Sequence, residues 1–348
     1  MQAPRILRSQ PYRLFKRLIH ITTIPQIRFP LKPLLILLAA FSACIAWSCQ
    51  AGGFAYISNQ GNNTVSVIDL ASNQVIASIE VGKAPVGVAT SAALGRTYIS
   101  NVDGQSISVI DSQHYKVLQE LPLHGSPVGI ALAPDSKTLF VADWFEDKVL
   151  ALDTADLTQQ RTVNVGKAPA GIIASPDGKQ LYVANRDSND VAIIDTASMQ
   201  IVKRIAVGEH PFGLGLSRDG KQLYAVNVYS NSVSMIDTQT HQVNTIKVGE
   251  HPYCVTVSTD GSRIYVTNTQ SDNVSVIDVA QQKVISIVPV GGYPEGISFD
   301  HANQRVYVAN WFDNTVSVID ASNNKLVQTI ATDKQSRAFG QFIQETAH

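Results

Sequence analysis

Only 3 of the 348 residues are cysteine, too few to staple a chain of this length, so the core must come from side-chain packing rather than disulfides. Charged residues are also sparse, at 16% against 45% hydrophobic. That balance excludes a disordered polyelectrolyte, which needs few apolar side chains and a high net charge. An excess of basic charge is missing as well. Residues 1–51 hold seven basic side chains and no acidic one, which leaves 20 Lys and Arg against 28 Asp and Glu in the remainder. A body with net charge −8 gives no support to binding a phosphate backbone, which requires clustered Lys and Arg, so no nucleic acid partner is expected.

Residues 1–51 read as a leader. Arg5, Arg8, Arg13, Lys16, Arg17, Arg28 and Lys32 precede an apolar run from Leu34 to Phe41 and beyond, which gives way to small and polar residues around Ser48–Gly53. These are the three parts of an export signal. The run is shorter than the ~18–20 residues that cross a bilayer, and Ala46-Trp47-Ser48 offers small residues where a signal peptidase reads. No twin arginine is present, which favours Sec export to a periplasmic or extracellular location. Cys44 and Cys49 each follow a small residue, so lipidation or a retained anchor are the alternatives to cleavage. Membrane contact is expected through this leader alone.

From Phe54 onward the chain repeats itself. Tyr56 opens YISNQGNNTVSVID, and its counterparts open at Tyr98, Phe140, Tyr182, Tyr224, Tyr265 and Tyr307, at spacings of 42, 42, 42, 42, 41 and 42 residues. A fixed period near 42 with several short strands per repeat predicts propeller blades, not a helical solenoid. The fourth repeat shows the plan: strands at Ala170–Ser175, Leu181–Asn185, Val191–Asp195 and Ile201–Val207, the first pair joined by a Pro-Asp-Gly-Lys turn. The fold class is therefore all-β, a seven-bladed propeller of four-stranded antiparallel blades over residues 52–348. The first repeat lacks an innermost strand and the last has a surplus segment, Phe339–Ile343. Closure of the ring by that C-terminal strand joining the first blade is the expected solution, since it removes two exposed sheet edges. A monomer is expected.

The wording of the repeats, YVAN followed by NTVSVID, VG.P and G.A.SPDGK.LYV, resembles the YVTN family of seven-bladed propeller proteins over residues 54–343. The resemblance implies an exported protein with a role in binding or at the cell envelope. WD40 repeats fit poorly, because Ile-Asp or Leu-Asp stands where Trp-Asp would close each third strand.

Two rings of short polar residues, Asn59 through Asn310 after the second strands and Asp69 through Asp320 after the third, read as turn caps. Variation is concentrated on the face that carries the links between blades. The position before the recurring proline reads Ala84, Ser126, Ala168, His210, His251, Tyr293 and Arg337; the next-but-one position reads Val86, Val128, Ala170, Phe212, Tyr253, Glu295 and Phe339. With Trp144, Phe145, Tyr229, Trp311 and Phe312 in nearby turns, these predict a concave patch at the channel mouth able to stack on a small-molecule ligand or a protein side chain. The candidate ligand-binding residues are His210, His251, Tyr293, Glu295, Arg337, Phe212, Tyr253, Trp144, Trp311 and Tyr229.

Inner strands carry glycine at their second position, Gly87, Gly129, Gly171, Gly213, Gly296 and Gly340, with Cys254 replacing it in the sixth repeat. Cys254 reads as a small residue in a glycine slot, with a channel thiol activated by nearby His251 as the sharper alternative. No nucleophile elbow, phosphate loop, paired-carboxylate or metal-ligand motif is present, so no catalytic residue, metal or cofactor is assigned. The sequence favours an exported, non-catalytic binding or scaffold propeller. The rival is an enzyme or cofactor-handling protein using the channel mouth, by analogy with propeller lactonases and redox propellers.

Overall fold

The computed structural model describes residues 52–345 apart from 158 and 159; the leader, with Cys44 and Cys49, lies outside the described residues. The described chain forms seven antiparallel meanders, one per repeat, numbered here as blades 1 to 7. Blade 4 is representative, with strands Pro169–Ala174, Gln180–Asn185, Asp190–Asp195 and Gln200–Ala206 from the inside outward. Its boundaries fall within a residue of those expected from hydrophobic runs and turn signals. The recurring aromatic of each second strand, Tyr56 through Tyr307, is fully buried between blades; each such ring adds on the order of 2 kcal/mol of apolar burial. Sheets covered on both faces need no polar alternation, which is why these strands read as continuous apolar runs.

Inner strands of neighbouring blades touch, and glycine permits it. A Cβ built on Gly129 would stand 1.9 Å from the Ala170 carbonyl oxygen, and one on Gly171 2.2 Å from that of Phe212, far inside van der Waals contact.

The outer strands of blades 1, 2, 4, 6 and 7 each contain a bulge, at Ile76, Leu118, Val202, Ile285 and Val327. All five bulge residues are exposed. Bulges spoil the flat hydrogen-bonding edge that would otherwise invite sheet-to-sheet aggregation. Blade 5 pairs its outer strand Val243–Lys247 without one, so the shortened 41-residue repeat is a lost bulge residue.

The ring closes through the C-terminal segment, with a correction to its expected course. Only Ile343 and Gln344 pair with Ala55 and Phe54 of blade 1, joined by a hydrogen bond from the Tyr56 N–H to the Phe342 carbonyl. Phe339–Gln341 instead pairs in parallel with Gly87–Ala89, on the inner strand of blade 2. The cause is two extra residues relative to the other inner strands, which push the segment off its own blade and into the channel. Gly340 makes the detour possible, with φ +107° and the Val88 carbonyl oxygen 2.6 Å from where a Cβ would be.

Candidate functional site

The links from outer to inner strands and the turns between second and third strands share one face. At six of the seven links a non-glycine residue adopts the left-handed conformation: Ala84, Ala168, His210, His251, Tyr293 and Gln335, with φ between 49° and 60°. Each is held there by the preceding blade, which offers Asn63, Asp147, Asn189, Asn231, Asp272 or Asn314 as acceptor for its backbone N–H. These bonds offset the roughly 1 kcal/mol cost of the αL geometry. They also fix the direction of the His210, His251 and Tyr293 side chains.

The seventh link corrects the sequence register. Gln335, not Arg337, occupies the left-handed position, and Ser336 stands where other links have proline, bridged to Asn59. Arg337 therefore belongs with Val86, Val128, Ala170, Phe212, Tyr253 and Glu295. Ala338, not Gly340, fills the small-residue slot: its N–H is bonded by Ser58 Oγ at 2.9 Å, as that of Gly87 is by Ser100 and that of Cys254 by Thr267. Without a proline to mark the link, the two extra residues downstream concealed the shift.

This register brings opposite charges together. Arg337 Nε lies 2.7 Å from Glu295 Oε2, its second nitrogen donates to the Tyr253 hydroxyl at 2.6 Å and its third to Gln60 Oε1 at 3.1 Å. Glu295 is only 3% exposed, and burial pushes its carboxyl up from the ordinary glutamate value while Arg337 opposes the rise. Phe212 stacks on Tyr253 at 4.2 Å and meets Phe339 at 5.0 Å. These side chains close the channel at this face.

Around that floor the aromatic candidates form a continuous rim. Trp144 packs against Phe212 at 5.9 Å, His210 stacks on Tyr229 at 4.0 Å, and His251 meets the same ring at 5.5 Å. Tyr293 contacts Trp311, whose indole N–H reaches Gln60. All ten candidate residues thus join one contact network. Sequence reasoning missed two members, Gln60, which bridges Arg337 and Trp311, and Arg186, whose guanidinium lies over both Trp144 and Tyr229 at 5.5 and 5.8 Å. Superposing the second turns would have found both, because Gln60, Trp144, Arg186 and Trp311 all follow the recurring Asn or Asp.

Cys254 is the small buried residue of its slot, and the activated-thiol reading falls. Burial, reinforced by the Glu295 carboxylate and opposed by Arg337, raises its thiol pKa, the reverse of the lowered value that marks an activated cysteine. The polar rings are structural, though Asn59 to Asn310 do more than cap turns: Asn185 and Asn227 accept the N–H groups of Gly166 and Gly208 from the preceding link. Among the described residues no three His, Cys, Asp or Glu side chains are grouped to hold a metal ion, and no helix is long and apolar enough to cross a membrane.

A YNCE-like beta-propeller family model matches residues 92–175 and 215–305, half of the chain. The chain belongs to the YNCE-like β-propeller family. A second model, the seven-bladed β-propeller lactonase, matches residues 151–246. Among solved structures, this YNCE-like propeller is similar to the hydrazine synthase of Kuenenia stuttgartiensis, with 22% identity, TM-score 0.69, 76% of this chain and 91% of that one covered. It is also similar to a functionally unknown protein from Desulfotomaculum acetoxidans, with 16% identity, TM-score 0.73, and 82% and 98% covered. At such identities the likeness concerns the fold alone. A curated relative, the PE-PGRS family protein PE_PGRS18 of Mycobacterium tuberculosis, is 46% identical over 57 residues, which is 16% of this chain and 12% of that protein.

Proposed function

We propose that this propeller is an exported binding protein that holds a protein or small-molecule ligand on its channel-mouth face. One observation carries the reading: among the described residues, every exposed large aromatic lies in a second turn on that face, Phe145 at 77%, Phe312 at 63% and Tyr229 at 51% exposure. Rings presented this way, beside half-buried Trp144 and Trp311 and next to Arg186, make an anchoring surface of the kind that aromatic and arginine hot spots provide. The two arginines are each paired, Arg186 with Asp187 and Arg337 with Glu295, which favours stacking and apolar contact over recognition of a strong anion.

The test is a binding assay of the purified protein against fractionated envelope components, repeated with Phe145→Ser, Tyr229→Ala and Phe312→Ser combined. At least a tenfold loss of affinity is expected, with a change in melting temperature under about 3 °C, because surface substitutions cost little. Equal capture by wild type and the triple variant would defeat the reading.

Export rests on the leader sequence. In an exporting host the intact mass of the secreted protein should lack residues up to about the Ala46–Ser48 region; a full-length mass would mean a retained anchor, and an added diacylglycerol would mean lipidation at Cys44 or Cys49. A second reading, catalysis at the channel mouth, is favoured by one observation, that the lactonase model spans the stretch containing Arg186, His210, Phe212 and Tyr229. It requires lactone turnover that His210→Ala abolishes with the fold intact.

A further inference from the structure

The opposite face of the ring carries a cavity that no candidate residue explains. It has a volume of about 520 Å³, within the range of small-ligand sites. Its floor is Cys254, Phe339 and the glycine slots of blades 3 to 5, and its walls are the inner strands. Each inner strand of blades 3 to 7 stands last in its sheet, so one row of its backbone N–H and C=O groups faces the channel unpaired by sheet partners. Between those rows the walls carry aliphatic side chains, Ile130, Ile172, Leu214 and Val255, beside the hydroxyl-bearing Thr90, Thr256 and Ser298.

This combination selects among ligands. A hydrocarbon would strand the backbone groups, at a cost of about 2–7 kcal/mol for each left without a partner. A sugar would leave the aliphatic side chains uncovered. An extended peptide satisfies both, since its own backbone completes the strand edge while its alternate side chains meet the apolar wall. The protein already contains one example of such pairing: Phe339–Gln341 enters the channel as an extended segment and pairs in parallel with the free edge of Gly87–Ala89.

Orientation follows from the same example. Every inner strand begins at the plugged face and ends at the cavity mouth, so a segment lying parallel to it has its C-terminus at the mouth. Arg218 stands there, lining the cavity directly after the inner strand Pro211–Leu216 and Ser217. It is exposed and makes no hydrogen bond or ion pair among the described residues. His301 lines the mouth as well, and its backbone N–H engages the Glu345 carboxylate at 2.9 Å. No basic side chain lines the floor.

We infer that the cavity is a second binding site, for a short extended peptide that lies wholly within it, pairs in parallel with an exposed inner-strand edge and sets its terminal carboxylate on Arg218. The free edge from Gly213 to Ser217 accommodates about four or five residues at ~3.3 Å each. Because the peptide's N-terminal end lies against the apolar, closed floor, its N-terminus must be uncharged, as in an acetylated peptide.

The probe is the acetylated tetrapeptide Val-Ala-Val-Ala with a free carboxylate, compared with its C-terminal amide and with a form N-methylated at alternate residues, each titrated calorimetrically into the full propeller. Saturable binding of the free acid is expected, with the amide at least tenfold weaker and the N-methylated form not binding. Arg218→Ala, an exposed change that leaves the fold intact, should bring the acid down to the affinity of the amide. Equal binding of acid and amide by the wild type, an undiminished acid preference in Arg218→Ala, or unimpaired binding of the N-methylated form would each overturn the assignment, as would no saturation by the free acid. Retained binding by the Tyr229→Ala, Phe312→Ser double variant separates this site from the aromatic face.

Discussion

Replacing Gly129 with valine should cost at least about 3 kcal/mol, the upper end of overpacking effects, and lower the melting temperature by roughly 10 °C. The group to be accommodated meets a neighbouring backbone and not a flexible side chain. Its Cβ would stand 1.9 Å from the Ala170 carbonyl oxygen, so relief requires blades 3 and 4 to separate at the axis. Thermal unfolding followed by circular dichroism checks this directly. A shift below about 2 °C, the size of an ordinary surface effect, would mean that the inner strands are not in contact there. Gly95, whose Cβ would meet nothing within 4 Å but whose φ is +60°, supplies a useful contrast. Its replacement by alanine is a backbone effect alone, about 1 kcal/mol.

The second large effect belongs to Arg337→Ala. Removing the guanidinium leaves Glu295 buried and unpaired, and breaking a buried pair from one side costs about 3–5 kcal/mol. The loss depends on pH in a direction set by the carboxyl. Burial holds Glu295 above its unfolded value, and without Arg337 nothing opposes that rise. A carboxyl whose folded pKa exceeds its unfolded one stabilises the fold below the unfolded value and loses that contribution as pH climbs through the folded one. The variant should therefore come closest to wild type near pH 4 and show its full deficit at neutral pH and above. Adding Glu295→Gln to Arg337→Ala should restore a large part of the neutral-pH stability and flatten the profile. A deficit independent of pH would show that Arg337 contributes through packing against Tyr253 and its bond to Gln60, not through charge.

The two positions differ in how visible they are in the sequence. Gly129 is legible because it recurs every 42 residues beside a proline, and periodicity amplifies a local steric rule into a pattern. The seven blades, their strand boundaries and the rings of Asn and Asp are legible for the same reason. Arg337 is not, because its partner Glu295 lies 42 residues upstream and the two meet only through the register of the seventh link, where Ser336 replaces the marker proline. Phe339 is hidden likewise: nothing local announces that two extra residues will swing an aromatic ring across the channel to Phe212. The aromatic rim was foreseeable because it lies in the turns, where side chains follow backbone position closely. The cavity on the other face was not, since its walls are made by backbone edges that carry no residue signature.

Closure of the ring by Ile343 and Gln344 against Ala55 and Phe54 also governs the order in which the molecule can assemble. Contacts within a blade span a few tens of residues and can form as each repeat becomes available, whereas this seam joins positions some 290 residues apart. Loop-closure entropy grows slowly with length, but such a contact is rewarded only after everything between has condensed. The six blades from Pro85 to Ala331 should therefore organise first as an open arc, and joining its two ends should be the slow, late kinetic phase. Until that step the strand Phe54–Asn59 of blade 1 keeps an unpaired inner edge, so weakening the Ile343–Ala55 seam should accelerate unfolding and favour head-to-tail association of partly folded chains at high concentration.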